Sequence, residues 1–246
     1  MIRLVSFDCW NTLLIPADPV RATEQRARAI QELTGLPLPE GEQLLVEAWH
    51  RHLEAWRAVR AYGPREMAAW MVEQLGLGAD AEPQLEAAFS EATAEVGVEP
   101  VKGAEEVLSQ LRAKGLRLVL ICDVAITSGR TIRSLLGSAG LFGYLDEAVF
   151  SDEVGVPKPD PRIFEEALGR LNMAGSEGLH VGDLRSTDVA GARQVGMTTV
   201  RFRGVQDDDS EGAEADFVMD DLRELVRLLD EVANGSSGVT RASPGT

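Results

Sequence analysis

IRLVSFDCWNTLL occupies residues 2–14, and its first half decides the fold. Residues 2–7 are a short, largely apolar run that ends at Asp8, with Asn11 and Thr12 close behind. That pattern reads as a buried strand running into a loop. The texture then changes. Residues 19–97 are rich in Ala, Glu, Arg, Leu and Gln, and Leu45, Trp49, His52, Leu53 and Trp56 recur at helical spacing. Pro37-Leu38-Pro39, Gly63-Pro64 and Gly76 to Gly78 punctuate the segment. About four helices packed as a small bundle are expected there.

From residue 102 helices and strands alternate. Helices are expected over 104–113, 161–171, 185–195 and from Leu222 to about Val232, and strands over 116–122, 147–150, 178–182, 198–203 and 216–219. Alternation of this kind implies βαβ units and a parallel sheet. The expected architecture is therefore α/β, a doubly wound, Rossmann-like core carrying an inserted helical bundle. The core comprises 1–15 and 98–232, the inserted cap 16–97, and a Gly-, Ser- and Thr-rich tail, 233–246, is expected to be disordered.

Composition bounds the function. The chain has 246 residues, 44% of them hydrophobic, which suits one large domain or one domain with an insertion. Lys and Arg total 24 against 40 Asp and Glu, for a net charge of -16. A nonspecific nucleic-acid or anionic-membrane binder wants the opposite sign. Only Lys102, Lys114 and Lys158 are lysines. No apolar run approaches the roughly 18 residues of a membrane span, and the N-terminal run breaks at Asp8, too early for a signal peptide. Cys9 and Cys122 build no disulfide framework, and a reducing, cytoplasmic setting fits; two buried free thiols are expected. The oligomeric state stays open.

In open α/β sheets the site lies beyond the carboxyl ends of the strands. Those ends hold Asp8, Thr12, Lys158, Asp183 and Asp188. Carboxylates converging on one rim make a hard oxygen site that suits Mg²⁺, and a cation there screens an anionic substrate group. Lys158 adds a point charge, and a carboxylate such as Asp8 is a nucleophile in aspartyl-phosphate chemistry.

Three stretches carry a family resemblance. FDCWNTLL at 7–14, VPKPDPRIF at 156–164 and VGDLRSTD at 181–188 resemble motifs one, three and four of the haloacid dehalogenase (HAD) superfamily, with the helical cap inserted between motifs one and two. The resemblance spans Ile2 to about Val232. It implies that Asp8 is the nucleophile and a Mg²⁺ ligand, that the Trp10 main-chain carbonyl is a further ligand, and that Thr12 helps hold the loop. It also implies that Lys158 steadies the nucleophile and phosphate charge, and that Asp183 and Asp188 bind the metal, Asp188 directly or through water.

Two positions depart from the family's phosphatases. Trp10 stands where they carry a second Asp that protonates the leaving group, and an indole transfers no proton. Cys122 and Asp123 stand where they place Ser or Thr, often followed by Asn, to bond the phosphoryl group. A thiol is a weak donor and a carboxylate repels phosphate. Trp10 is similar to the aromatic residue of the family's dehalogenases, yet those lack the acidic metal motif that Gly182-Asp183 retains, and their motif-three Tyr is here Phe164. Three readings follow: a Mg²⁺-dependent phosphohydrolase acting on a small anionic metabolite through Asp8, a carbon–halogen hydrolase, and a non-catalytic protein that binds a ligand or partner. Trp10, Thr12, Cys122 and Asp123 are expected to line the substrate site, with Asp123 a candidate replacement acid. Trp49, Trp56 and Trp70 are expected to fill the cap's core. His50, His52 and His180 are expected to be surface or satisfied core residues, and 207–211 a solvated acidic loop.

Overall fold

A computed structural model describes residues 1–233. All but the first residue of the expected 233–246 tail lies outside the described residues. The strands are β1 (Leu4–Phe7), β2 (Leu14–Pro16), β3 (Val98–Pro100), β4 (Arg117–Cys122), β5 (Glu147–Phe150), β6 (Gly178–Gly182), β7 (Thr198–Phe202) and β8 (Phe217–Met219). Six of them form one sheet in the order β5-β4-β1-β6-β7-β8, with every pairing parallel. The chain divides into two compact units. The first, built on this sheet, is Met1–Ile15, Pro100–Asp123 and Leu136 onward; the second is Pro16–Glu99 with Val124–Leu135.

The sheet unit follows from its strands. LVSF, the RLVLIC run from Leu118 on, and GLHVG are buried along their length, as a parallel sheet covered on both faces requires. Its helices are α5 (Ala104–Ala113), α7 (Ser151–Val154), α8 (Pro161–Leu171), α9 (Ala190–Gln194) and α10 (Glu224–Ala233). One apolar layer joins Leu4, Val119, Ile121 and Val149 of the sheet to Ile163, Phe164, Ala167 and Leu171 of α8 and to Ala192 of α9. Asp160 starts α8 by accepting the Arg162 N–H at 2.9 Å, with Pro161 in the first turn, where it needs no donor. The helix expected over 185–195 is instead a π-turn, Arg185–Val189, followed by the short α9. The Val189 N–H reaches back five residues to the Leu184 carbonyl at 3.2 Å, which rotates Asp188 inward.

The helical unit contains α1 (Pro19–Thr34), α2 (Leu38–Arg57), α3 (Pro64–Leu75) and α4 (Ala81–Val96). The helix α6 (Gly129–Ser138) begins in its second segment. Its core gathers Ala27 and Ile30, Leu45 and Ala48, Met67, Trp70 and Met71, and Leu85 and Phe89. The tryptophans do not all join it. Trp70 is buried, with the Arg51 guanidinium 4.6 Å from its ring, and Trp56 is half-buried, but Trp49 is 42% exposed and stacks on His52. The buried stripe of α2 runs through Leu45, Ala48, His52 and Ala55, so small residues, not the large ring, face inward. His52 is satisfied by the Tyr62 carbonyl at 2.7 Å.

Candidate active site

β1 lies between β4 and β6, and the chain winds outward from it in both directions. This is the topological switch point, where such sheets open a crevice. Asp8 is the first residue past β1. Its N–H donates to the Val181 carbonyl at 2.8 Å, so the ladder with β6 extends one residue and fixes where the carboxylate starts. The loop then closes on itself. The Leu13 and Leu14 N–H groups donate to the Cys9 carbonyl, and the Asn11 N–H donates to that of Leu14. Asn11 sits at φ 60°, a left-handed conformation that Asn tolerates better than most residues. The Trp10 carbonyl takes none of these loop bonds.

Lys158, after β5 and the short α7, brings the predicted residues together. Its buried ammonium donates to Asp8 Oδ1 at 2.5 Å and to Asp188 Oδ1 at 2.7 Å. Burial pulls that ammonium down, but Asp188, Asp8 and Asp123 outweigh it and hold Lys158 well above the ordinary lysine value. Asp188 is fully engaged. Oδ1 also meets His180 Nε2 at 3.0 Å, and Oδ2 accepts the Leu184 N–H at 3.1 Å. Burial alone raises its carboxyl, yet Lys158 and His180 bring it below the usual range. Gly182 is required here, because a Cβ on it would stand 2.2 Å from Asp188 Cγ.

Asp183 differs from Asp188. Its carboxylate accepts a hydrogen bond from the Asn11 amide at 3.4 Å, and burial together with the charges of Asp8 and Asp188 pushes its carboxyl up to about 8. Burial pushes Asp8 up to about 6, with Lys158 pulling down and Asp188 pushing up. One ammonium stands among four carboxylates, Asp8, Asp123, Asp183 and Asp188, so full ionisation leaves a negative surplus. A divalent cation would offset two of those charges, and all-oxygen donors suit Mg²⁺. Among the described residues no group of three or more His, Cys, Asp or Glu side chains is arranged to hold a metal. The oxygens that could hold one are those of Asp8 and Asp183 with a main-chain carbonyl. Asp188 has its oxygens committed to Lys158, His180 and Leu184.

The sequence reading assigned no site role to His180 or Ser6. His180 lies on β6 directly beside Ser6 of β1 in the sheet register. Its Nδ1 is 2.8 Å from Ser6 Oγ, its Nε2 meets Asp188, and its ring stands edge-on to Phe164 at 5.1 Å. The satisfied core histidine expected from sequence is thus also the support of Asp188. The one available signal was a polar side chain between Leu179 and Val181 in a strand buried throughout.

The motif-two residues take clear roles. Asp123 Oδ1 accepts the Lys158 main-chain N–H at 2.8 Å, tying the two loops together. Cys122 is buried and its Sγ donates to the Asp123 carbonyl at 3.3 Å. Burial, then the neighbouring Cys9 and Asp8, push its thiol well up, so it stays protonated. Both cysteines are free and buried. Thr12 is buried, and its hydroxyl has no hydrogen-bond partner among the described residues. Trp10 is half-buried. The expected solvated loop at 207–211 is partly an anchor instead. Asp208 is buried and accepts the Arg185 N–H at 2.6 Å, while the exposed Asp207 pairs with the buried Arg201 at 2.5 Å.

The chain is similar to several known proteins. A family model described as haloacid dehalogenase-like hydrolase matches residues 2–196. A glyceraldehyde 3-phosphate phosphatase from Methanopyrus kandleri is 34% identical over 242 residues, 95% of this chain and 99% of that protein. A phosphoserine phosphatase from Thermus thermophilus is 34% identical over 197 residues, covering 72% and 74%. Among solved structures, a 2-haloacid dehalogenase from Pseudomonas syringae aligns with a TM-score of 0.70 at 25% identity, covering 94% of this chain and 100% of that one.

Proposed function

The chain belongs to the haloacid dehalogenase-like hydrolase family, and from that premise we propose that it is a Mg²⁺-dependent phosphohydrolase of small phosphorylated metabolites, with Asp8 as nucleophile. The observation that carries this reading is the Lys158 ammonium bonded to both Asp8 and Asp188 beside the largely uncompensated carboxylate of Asp183. Two relatives with phosphatase names share 34% of the aligned sequence.

Asp8, Asp183 and the Trp10 carbonyl would hold the metal, which when bound supplies positive charge to the phosphoryl oxygens. The chain's own residues do the rest. The free Asp8 oxygen attacks phosphorus, a P–O bond forms, and the ester P–O bond breaks with its electrons leaving on the alcohol oxygen. Lys158 keeps Asp8 ionised and offsets charge on the phosphoryl group. The Thr12 hydroxyl is a donor awaiting an acceptor, and a phosphoryl oxygen is one. Trp10 walls the pocket and gives no proton, so the leaving oxygen is protonated from water. Water then attacks phosphorus and releases Asp8 and inorganic phosphate. Asp188 works through Lys158, and Asp123 works through the Lys158 loop.

Trp10 also supports a second reading, displacement of halide from a small haloacid, which needs no leaving-group proton. Its support is the fold shared with a 2-haloacid dehalogenase. One assay separates the two. The full chain is given phosphomonoesters with Mg²⁺, and 2-haloacids with and without chelator. Phosphate release lost in Asp8→Asn is the expected result. Halide release indifferent to chelator would transfer the assignment to the second reading, and phosphate release undiminished in Asp8→Asn would remove Asp8 from the mechanism.

A further inference from the structure

Arg26 is a buried cation without a counter-ion. It lies on α1 in the helical unit and is 5% exposed. Its Nε donates to the Phe89 carbonyl at 2.9 Å and its Nη2 to Thr93 Oγ1 at 2.5 Å, both on α4. These acceptors are neutral, and its other N–H groups have no partner among the described residues. Buried guanidinium groups are ordinarily paired with an acid, because desolvating an unpaired charge is costly. This chain has 40 acidic residues against 24 basic ones, so the missing partner is not a shortage of carboxylates. Glu95, two residues past Thr93 on α4, bonds Gln25 Nε2 at 2.6 Å instead. With no acid opposing it, burial draws the Arg26 guanidinium down to about 10.

A second feature in the same unit has the same sign. Thr93 Oγ1 is 2.7 Å from Thr127 Oγ1, and Thr127 is buried. Ser128 follows, and its N–H donates to Ser90 Oγ at 3.1 Å, back on α4. Ser128 Oγ caps α6 by accepting the Thr131 N–H at 3.3 Å, and the first turn of α6 holds no acidic residue. The hydroxyl chain from Arg26 thus ends beside the N-terminus of α6.

We infer that Arg26, with Thr93 and Thr127, forms an oxyanion site in the helical unit that takes a carboxylate or phosphate group. The guanidinium's remaining N–H groups suit two anion oxygens, and the Thr93–Thr127 pair keeps one hydroxyl proton to donate. The anion is a small molecule bearing such a group. The site stands on the helical unit alone, so it survives if the phosphohydrolase reading fails.

The test is calorimetric titration of the full chain with malonate in the presence of EDTA, which leaves the Asp8 rim without a cation. Saturable binding to the wild type is expected, weakened at least tenfold in Arg26→Met and less in Arg26→Lys, which keeps the charge without the fork. If Arg26→Met does not fold, Thr127→Val replaces it, with a smaller loss of binding expected. No saturable binding of malonate or of inorganic phosphate to the wild type overturns the proposal. So does binding unchanged in a folded Arg26→Met protein that melts lower, which makes Arg26 a clamp on α4 only.

Discussion

Lys158 Nζ stands 2.5 Å from Asp8 Oδ1, although 150 residues separate the two. The contact is made by topology. Asp8 ends the central strand β1, and Lys158 follows β5, two strands away across β4. Asp123, at the end of that intervening β4, holds the Lys158 main chain. Three strand ends are therefore needed to place one ammonium on one carboxylate.

Removing that ammonium leaves two buried carboxylates facing each other. Lys158→Met is expected to cut turnover by about 10²–10³-fold and to destabilise the fold by about 3–5 kcal/mol, the usual cost of orphaning a buried charge. Adding Asp188→Asn should recover part of the stability without recovering turnover. Paired denaturation curves and kcat measurements check this, and equal stability of the single variant and the wild type would remove Lys158 as the counter-ion.

The carboxyl groups of Asp8 and Asp183 are raised to about 6 and about 8 from an unfolded value of 3.8. Sign follows from which state holds the proton. As pH rises above about 4 the unfolded chain ionises first, so without metal these groups destabilise the fold progressively up to about pH 8. Divalent metal must displace the same protons. Mg²⁺ is expected to bind roughly 10- to 100-fold more tightly at pH 8 than at pH 6, and to raise Tm more at the higher pH. Titration calorimetry at both values tests it. An affinity independent of pH, or one that keeps its pH dependence in Asp183→Asn, contradicts the assignment.

Much of this site was legible because its chemistry follows strand ends. Asp8, Lys158 and Asp183 each come just beyond an apolar run or a short turn after one, so local pattern and topology locate them. What escaped depends on register and on rotation about an axis. His180 acquires its role only because Ser6 falls opposite it in the β1–β6 pairing, and a strand sequence does not state its register. Asp188 turns inward because residues 185–189 wind as a π-turn, which the helical pattern of 185–195 does not distinguish from an α-helix. Trp49 is exposed because alanines at 48 and 55 form the packed stripe, and an amphipathic reading weighted toward large side chains selects the wrong face.

Asp123 separates two roles cleanly. As a proton donor it would lose function on conversion to Asn. As the acceptor of the Lys158 N–H it would not, because an amide oxygen accepts the same bond. Asp123→Asn is expected to keep turnover within about threefold, while Asp123→Ala, which leaves that N–H without its acceptor, should lower it by tenfold or more, a loss near 1.4 kcal/mol. Steady-state kinetics on both variants decide the matter. A sharp fall in the Asn variant would restore Asp123 as the replacement acid.

His180 is expected to act through Asp188. Its ring bridges Ser6 Oγ and Asp188 Oδ1 in a region with almost no solvent access. His180→Phe keeps the bulk against Phe164 but leaves both polar partners short of a bond, at a cost of about 1–3 kcal/mol each. Asp188 would then be held by Lys158 and Leu184 alone, and Lys158 would be drawn further toward Asp188 and away from Asp8. The prediction is a fall in kcat larger than the change in KM, because the orientation of the nucleophile changes while the substrate contacts do not. His180→Gln, which offers both a donor and an acceptor, should recover part of kcat. A variant that loses only stability, with kcat intact at a temperature where it is folded, would reduce His180 to a packing residue.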